Sequence, residues 1–206
     1  MMFDTLALIS TLIAIALLHR FINIFPSLMA CTIRWKENIN IHNSLKLRTD
    51  RNLLSLAMIL PFCLCIYHFQ IYKPGFLDTM TETLKLTSVI GVFVIYTILR
   101  SILYFSLKPP KGHDETFMAA HYAARTFFIL LTLTIIAVAG CLSLFNVPVE
   151  TTQSVIFWLT GGIYLIFILR KIQILLSGYS FFMSFLYLCA LEILPTGVLV
   201  SSVVIF

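Results

Sequence analysis

The stretch MAAHYAARTFFILLTLTIIAVAGCLSLF, residues 118–145, decides the fold. From Thr126 to Phe145 it has twenty residues and no charged side chain. About 20 apolar residues in a helix cross the roughly 30 Å hydrocarbon core of a bilayer. Because lipid offers no hydrogen-bond partner to a bare backbone group, a span of this length and composition is expected to be an α-helix.

Five further stretches of the same kind lie elsewhere in the chain. Hydrophobic residues make up 60% of the 206 and charged residues 11%, a balance that would leave a soluble globule without enough polar surface. We therefore predict an all-α, polytopic transmembrane helical bundle of about six helices, forming a single integral membrane domain over residues 1–206. The predicted spans are residues 3–31, 53–72, 84–107, 118–145, 154–169 and 181–206.

Lysine and arginine are concentrated around the first, third and fifth connections between these spans. Twelve of the fourteen lie there, and Lys73 and Lys85 at the second connection are the exceptions. Since Lys and Arg near span ends are retained on the cytoplasmic side, we predict that the N-terminus and the C-terminus both lie outside. In a bacterium this describes a multi-pass protein of the inner membrane with periplasmic ends. The net charge of +5 then reflects topology and anionic lipid, and no nucleic-acid partner is expected.

Residues 32–52 form a basic connection that is predicted to be cytoplasmic. Apolar residues are mixed there with five basic ones. Two interpretations remain open: an amphipathic helix that lies flat in the headgroup region, or a solvated loop. Asn38, Asn40 and Asn43 weaken a helix in this segment.

Pro26 falls inside the first predicted span, and His19 and Arg20 precede it. Proline removes a helical hydrogen bond. We therefore predict that the first helix ends near Leu18 and continues as a second, interfacial piece.

Familiar catalytic and cofactor patterns are absent from the sequence. It contains no GxxxxGK, HExxH, GxSxG or GxGxxG. The three histidines within predicted spans, His19, His68 and His121, do not provide matched axial pairs for haem. We predict no cofactor and no metal, and the sequence does not favour an enzyme.

Glu192 is the deepest ionisable residue of the predicted bundle. At about 1.5 Å per helical residue it lies roughly 16 Å into the last span, close to the midplane. An unpaired carboxylate at this depth costs several kcal/mol, so Glu192 is expected to face a polar partner inside the bundle. Pro195 follows three residues later, frees a backbone carbonyl and predicts a kink.

Arg100, on the third predicted helix, is the best candidate partner of Glu192. The alternative is that its long side chain reaches the headgroups instead. Tyr96 and Tyr104 lie four residues to either side of Arg100, on the same helical face. The predicted intramembrane polar site comprises Glu192, Arg100, Pro195, Tyr96 and Tyr104.

A second candidate site lies at the start of the fourth predicted helix. His121 and Arg125 are one turn apart there, and Ala120 and Ala124 allow another helix to approach closely. The guanidinium of Arg125 suits a phosphate group, so the pair is predicted to bind an anionic lipid or anionic ligand in the inner leaflet. Ordinary positive charges at a membrane boundary are the open alternative.

The segments RKIQILL, residues 170–176, and LYLCALEILP, residues 186–195, resemble the C-terminal signature of an uncharacterised bacterial family of polytopic inner-membrane proteins, classed as a domain of unknown function. By length and helix count the resemblance extends over essentially the whole chain. It implies a multi-pass inner-membrane protein and implies no substrate, cofactor or reaction.

Three functions remain open. The leading prediction is a structural or assembly component of a membrane complex, whose partners are membrane lipids and another membrane protein or a second copy of the chain. The alternative is a small proton- or ion-coupled transporter with Glu192 as the titrating group. The third is an intramembrane lipid-modifying enzyme that uses Arg125, His121 and Glu192.

Reporter fusions test the predicted orientation. A reporter that is active only in the periplasm should be active when fused after Phe206, and a cytoplasm-only reporter should be inactive there, because the even number of spans returns the chain to the outer side. The matched control places both reporters after Lys111, in the third connection, where the results should be reversed. A cytoplasmic reporter that is active after Phe206 would show that the span count or the orientation is wrong.

Overall fold

The computed structural model describes residues 2–72, 81–107 and 114–205. Three residues used above to predict or test the membrane orientation lie outside these ranges: Lys73, Lys111 and Phe206. Within the described residues all regular structure is helical, which confirms the predicted all-α bundle. The helices are α1 (Met2–Ile33), α2 (Lys36–Asn43), α3 (Leu45–Ala57), α4 (Ile59–His68), α5 (Glu82–Ser106), α6 (Asp114–Leu144), α7 (Val149–Leu176), α8 (Phe181–Leu188) and α9 (Leu194–Ile205), with a π-helical turn, Cys189–Ile193, between the last two.

Six helical stretches of the described chain are long and apolar enough to cross a membrane. Four of them follow α1, α5, α6 and α7. The stretch Leu45–His68 joins α3 to α4, and the stretch Phe181–Ser201 runs from α8 through the π-helical turn into α9. The predicted number of six spans is therefore confirmed, and the chain is a multi-pass membrane protein. The second span begins at Leu45 and ends at His68, whereas the sequence predicted residues 53–72.

The first helix is continuous through Pro26, so the predicted end near Leu18 is wrong. Helix α1 reaches Ile33 with the proline inside it. Membrane helices tolerate proline because neighbouring helices and local adjustments satisfy the freed backbone groups.

The fifth span is longer than predicted at both ends. Helix α7 begins at Val149 and ends at Leu176, whereas the sequence predicted residues 154–169. Ile172, Ile174, Leu175 and Leu176 continue the apolar pattern beyond the charged pair Arg170 and Lys171. This pair therefore lies inside the helix and not in a connection.

Residues 32–52 are helical over most of their length. Helix α2 and the first half of α3 occupy the segment, and Ser44 joins them in an extended conformation. Asn38 and Ile41 of α2 are fully buried, and α2 packs mainly against α6. The solvated-loop interpretation is thus wrong, because burial of one face of α2 outweighs the weak helix propensity of its asparagines.

Helix α6 is the centre of the bundle and packs on α1, α2, α3, α4 and α7. Ala119, Ala120 and Ala123 are fully buried on it, and small side chains of this kind let membrane helices approach closely. The largest core cluster adds Tyr104 of α5 and Leu191 of the π-helical turn. This cluster holds α5, α6, α7 and the last span around one point.

Side-chain hydrogen bonds to backbone carbonyls connect the helices at both ends of α7. Arg170 donates from Nε to the carbonyl of Thr32, at 2.8 Å, which ties α7 to the end of α1. Gln153 donates from Nε2 to the carbonyl of Phe69, at 2.7 Å, just after α4. Both contacts satisfy carbonyls near a helix end.

Gly178 follows α7 where the chain passes close to α6, and it provides a test of this packing. A Cβ atom on Gly178 would lie 2.6 Å from Oγ1 and 3.3 Å from Cβ of Thr116. We expect Gly178→Ala to lower the free energy of unfolding by about 1–3 kcal/mol, because the two segments must move apart. Thermal unfolding of the detergent-solubilised protein measures the effect. The matched control is Gly162→Ala, whose Cβ would meet nothing within 4 Å, and equal losses in the two variants would contradict the close approach.

Candidate functional site

Glu192 lies on the π-helical turn and is almost completely buried, with 1% of its surface exposed. The amide of Leu194 donates to the carbonyl of Cys189, five residues earlier, in place of the usual four. The irregularity lies directly before Pro195, whose ring nitrogen cannot donate to the preceding turn. Single π-helical turns inside α-helices occur frequently at functional sites.

Two cations from different helices contact the Glu192 carboxylate. Arg100 of α5 donates through Nη2, and Lys171 of α7 donates through Nζ, to the same oxygen, Oε1. Lys171 has no exposed surface. We call these three residues the ion group. The pairing of Glu192 with Arg100 that the sequence predicts is present, and the alternative position of Arg100 among the headgroups is not the observed one.

Lys171 is the member of the ion group that sequence reasoning missed. Lys171 falls outside the fifth predicted span, residues 154–169, and the structure corrects this because α7 continues to Leu176. Its Nζ atom also lies 5.0 Å from the ring centre of Tyr104 and 5.7 Å from that of Phe167. The available signal was the apolar run at residues 172–176, which is typical of a helix that continues within the membrane.

The two predicted tyrosines connect α5 to its neighbours. The hydroxyl of Tyr104 donates to the carbonyl of Phe117 at 3.3 Å, and the Tyr104 ring lies 4.0 Å from the ring of His121. The hydroxyl of Tyr96 is 3.1 Å from Oγ1 of Thr196. Tyr104 thus connects α5 with α6, and Tyr96 connects α5 with α9.

Tyr164 of α7 is a further polar contact that the sequence did not indicate. Its hydroxyl donates to the backbone carbonyl of Glu192 at 3.4 Å. A carbonyl beside an irregular turn needs a partner in a membrane interior. Tyr164 supplies it from the same helix that carries Lys171.

A cleft of about 1010 Å³ opens beside the ion group, and we call it the lateral cleft. Its walls are mostly apolar side chains of α3 to α7 and α9. Ile98, Ile102 and Phe105 of α5 line it and are exposed. Because exposed apolar side chains of a membrane-spanning helix face lipid, the cleft opens sideways towards the acyl chains.

The two sites that the sequence predicted separately meet in this cleft. Arg100 and Glu192 line it from α5 and the π-helical turn, and His121 and Arg125 line it from α6. Tyr96 also belongs to the lining. Tyr104 and Pro195 are buried behind it and do not line it.

Several polar atoms of residues that line the cleft lack a hydrogen-bond partner among the described residues. Nε of Arg100 and Nδ1 of His121 are buried and have no hydrogen-bond partner among the residues that the structure describes. Glu192 is the one carboxylate in the described lining, against the cations of Arg100 and Arg125. Buried polar groups are normally satisfied, so the site is suited to an anionic group supplied from outside.

Across the described ranges, no group of three or more His, Cys, Asp or Glu is placed to hold a metal ion. His68 stacks on Phe3, with ring centres 5.9 Å apart, whereas His121 packs on Tyr104. The expectation of no haem and no metal stays a prediction.

The chain matches, over residues 5–203, a family described as a domain of unknown function, DUF4271. The chain belongs to this family. The match includes every residue of the ion group and of the lateral cleft, and it confirms the predicted membership of an uncharacterised domain family. Neither a curated protein nor a solved structure matches the chain.

The ion group generates a stability prediction. Glu192→Leu leaves Arg100 and Lys171 buried without their counter-charge, and we expect it to lower the free energy of unfolding by about 3–5 kcal/mol. Glu192→Gln keeps an acceptor and loses the charge, so a substantial loss is expected there as well. Denaturation of the purified protein in detergent measures both.

Two further variants control this prediction. The double variant Glu192→Leu with Lys171→Leu should recover part of the loss, because Arg100 alone can turn its long side chain towards the membrane surface. Glu150→Gln removes an exposed carboxylate from the start of α7 and should have little effect. A Glu192→Leu variant as stable as the parent would contradict the structural role of the ion group.

Proposed function

We propose that this protein, in the inner membrane of a bacterium, binds an anionic amphiphile in the lateral cleft: a phospholipid or another long-chain molecule with a phosphate-type head. One observation carries the proposal. The same cleft of about 1010 Å³ combines mostly apolar walls with Arg100, Arg125 and His121. Ligand sites commonly have this form, a largely apolar cavity with a few convergent polar groups.

The apolar part of the cleft is long enough for a hydrocarbon chain. Its lining extends on α5 from Phe93 to Phe105. Twelve helical steps correspond to about 18 Å, more than half of the roughly 30 Å hydrocarbon core. A chain lying parallel to the neighbouring lipids would therefore be covered over most of one leaflet.

The basic part of the cleft suits the head of the same molecule. Arg125 and His121 are one turn apart on α6, and both contribute to the lining. A guanidinium binds phosphate through two parallel hydrogen bonds, and His121 Nδ1 has no partner among the described residues. Loss of a charge-assisted hydrogen bond of this kind typically weakens binding by about 10- to 100-fold.

A role as an assembly component of a membrane complex is the second candidate. It is supported by the position of Glu192, whose carboxylate fastens helices of the same chain through Arg100 and Lys171. Such a site serves the fold and requires no turnover. Co-purification of another membrane protein, or of a second copy of the chain, in fixed stoichiometry would support this candidate.

The other two functions have weaker support. A coupled carrier needs a carboxylate that is open to a water path, whereas Glu192 accepts hydrogen bonds from two cations beside mostly apolar walls. A lipid-modifying enzyme would use the same cleft as its substrate site, with His121, Arg125 and Glu192 as polar groups. The observed contacts define no reaction step among these residues.

Adjacent glycines of α7 provide a matched test of the lateral cleft. Gly161 lines the cleft, Gly162 does not, and the added Cβ of either would meet nothing within 4 Å. We expect Gly161→Phe to fill the cleft and to reduce retained phosphatidylglycerol at least ten-fold, while Gly162→Phe leaves retention unchanged. Native mass spectrometry of the protein titrated with phosphatidylglycerol in neutral detergent gives the measurement.

Arg125→Gln separates the head from the chain in the same assay. It should lower retention of phosphatidylglycerol by about ten-fold or more and leave the weaker retention of diacylglycerol, which has no phosphate, little changed, because the guanidinium binds the phosphate group. Equal retention by the parent, Gly161→Phe and Arg125→Gln would show that the cleft is not a lipid site.

A further inference from the structure

Arg51 of α3 is a buried cation that has no hydrogen-bond partner among the described residues. Its side chain has no exposed surface, and Nε, Nη1 and Nη2 all lack a hydrogen-bond partner within the described ranges. The guanidinium is always charged in proteins. A buried charge of this kind is strongly unfavourable unless a counter-charge accompanies it.

The surroundings of Arg51 add positive charge. The Cζ atoms of Arg51 and Arg125 each lie 5.0 Å from the ring centre of Tyr122, so they are at most about twice that distance apart. Arg125 and Arg48 are the cations that act on Arg51. No salt bridge joins Arg51 to a carboxylate of the described residues, although Glu37 and Arg51 both act electrostatically on Cys31. Asp50 precedes Arg51 in the chain, but its carboxylate accepts from Arg20, at 3.1 Å.

Unsatisfied amides lie on the helices that surround this cation. Asn38 of α2 has no exposed surface, and neither Oδ1 nor Nδ2 has a hydrogen-bond partner in the part of the chain described. Asn38 is one turn before His42 and therefore lies on the same face of α2. The ring of His42 stacks on Tyr122, with ring centres 5.4 Å apart. Oδ1 of Asn52, next to Arg51, is likewise buried and unpartnered.

We propose that this α2–α3–α6 junction, formed by Arg51, Asn38 and Tyr122, is a second binding site, specific for a phosphate-type oxyanion. The planar fork of Arg51 offers several donors to an anion with more than one oxygen, and the amide of Asn38 offers another. The anion is either free phosphate or the phosphate of a lipid headgroup. Arg51 does not line the lateral cleft, so this site does not depend on the proposed function.

Anion-dependent stability tests the site. The full-length protein is purified in neutral detergent with its lipids removed, and its Tm is measured in inorganic phosphate and in chloride at equal ionic strength. At about ten times the Kd, phosphate should raise the Tm by roughly 3 °C or more, since a ligand that binds the folded state stabilises it. Arg51→Gln should abolish this rise, whereas Arg34→Gln, which removes an exposed cation just before α2, should keep it.

A second arm distinguishes the two sources of phosphate. A rise in Tm with inorganic phosphate alone identifies a free-anion site, and a rise that requires phosphatidylglycerol identifies a headgroup site; Arg51 is required in both cases. Gly161→Phe blocks the lateral cleft and should leave unchanged the rise in Tm that depends on Arg51. A lipid response that Gly161→Phe abolishes and Arg51→Gln preserves belongs to the cleft and would overturn the second site.

Two further results bear on Arg51. Without phosphate, Arg51→Gln should be at least as stable as the parent, because the variant no longer buries an uncompensated charge. If Arg51→Gln does not fold, Arg51→Lys is the test variant. It keeps the positive charge and loses the planar guanidinium, so about ten-fold more phosphate should be needed for the same rise in Tm. A parent protein whose Tm responds neither to phosphate nor to phosphatidylglycerol, or an unchanged response in Arg51→Lys, would overturn the proposal.

Discussion

The contact of one buried carboxylate, Glu192, with two cations is the constraint on which the rest of the bundle depends. Neither Arg100 nor Lys171 is stable in a hydrocarbon environment without a counter-charge, and the same holds for Glu192. The three residues lie on α5, α7 and the π-helical turn, so these segments must stay together. The largest core cluster, which includes Tyr104 and Leu191, packs around this point. Lipid provides no hydrophobic force that drives helices together, so specific polar contacts and close packing hold the helices together instead.

The charges in this half of the bundle do not balance. The ion group contains two cations and one carboxylate, and the cations of Arg125 and Arg51 form no salt bridge with a carboxylate of the described residues. In a region of low dielectric constant, an excess of positive charge raises the free energy of the folded state. A second carboxylate in the chain would remove the excess permanently. No such carboxylate is present among the described contacts, so a bound anion can neutralise the excess positive charge and stabilise the fold. The same buried cations thus limit the stability of the fold and favour the binding of anions.

Depth and periodicity explain what the sequence could predict. Six apolar runs determine six spans, and a lone glutamate near a midplane must find a cation, so Arg100 could be named from its depth and helical face. Lys171 could not be separated from ordinary boundary charges, because it follows Arg170 where a span of average length would end. The sequence also could not predict that the two candidate sites line the same cleft. Which helices are neighbours, as α5 and α6 are around Tyr104 and His121, depends on packing between segments that are distant in the chain.

Arg100 connects the stability of the bundle with ligand binding. Its Nη2 atom donates to Glu192, its Nε atom is buried and has no hydrogen-bond partner among the described residues, and its side chain lines the lateral cleft. An anion that contacts Arg100 therefore binds a residue that already holds α5 to the last span. By linkage, such an anion binds the assembled bundle more tightly than a loosened one and stabilises it by the same free energy. A substitution of Glu192 that weakens anion binding can therefore act by loosening the bundle or by changing the binding site. A substitution of Gly161 acts on the binding site alone, because Gly161 lines the cleft and makes no polar side-chain contact.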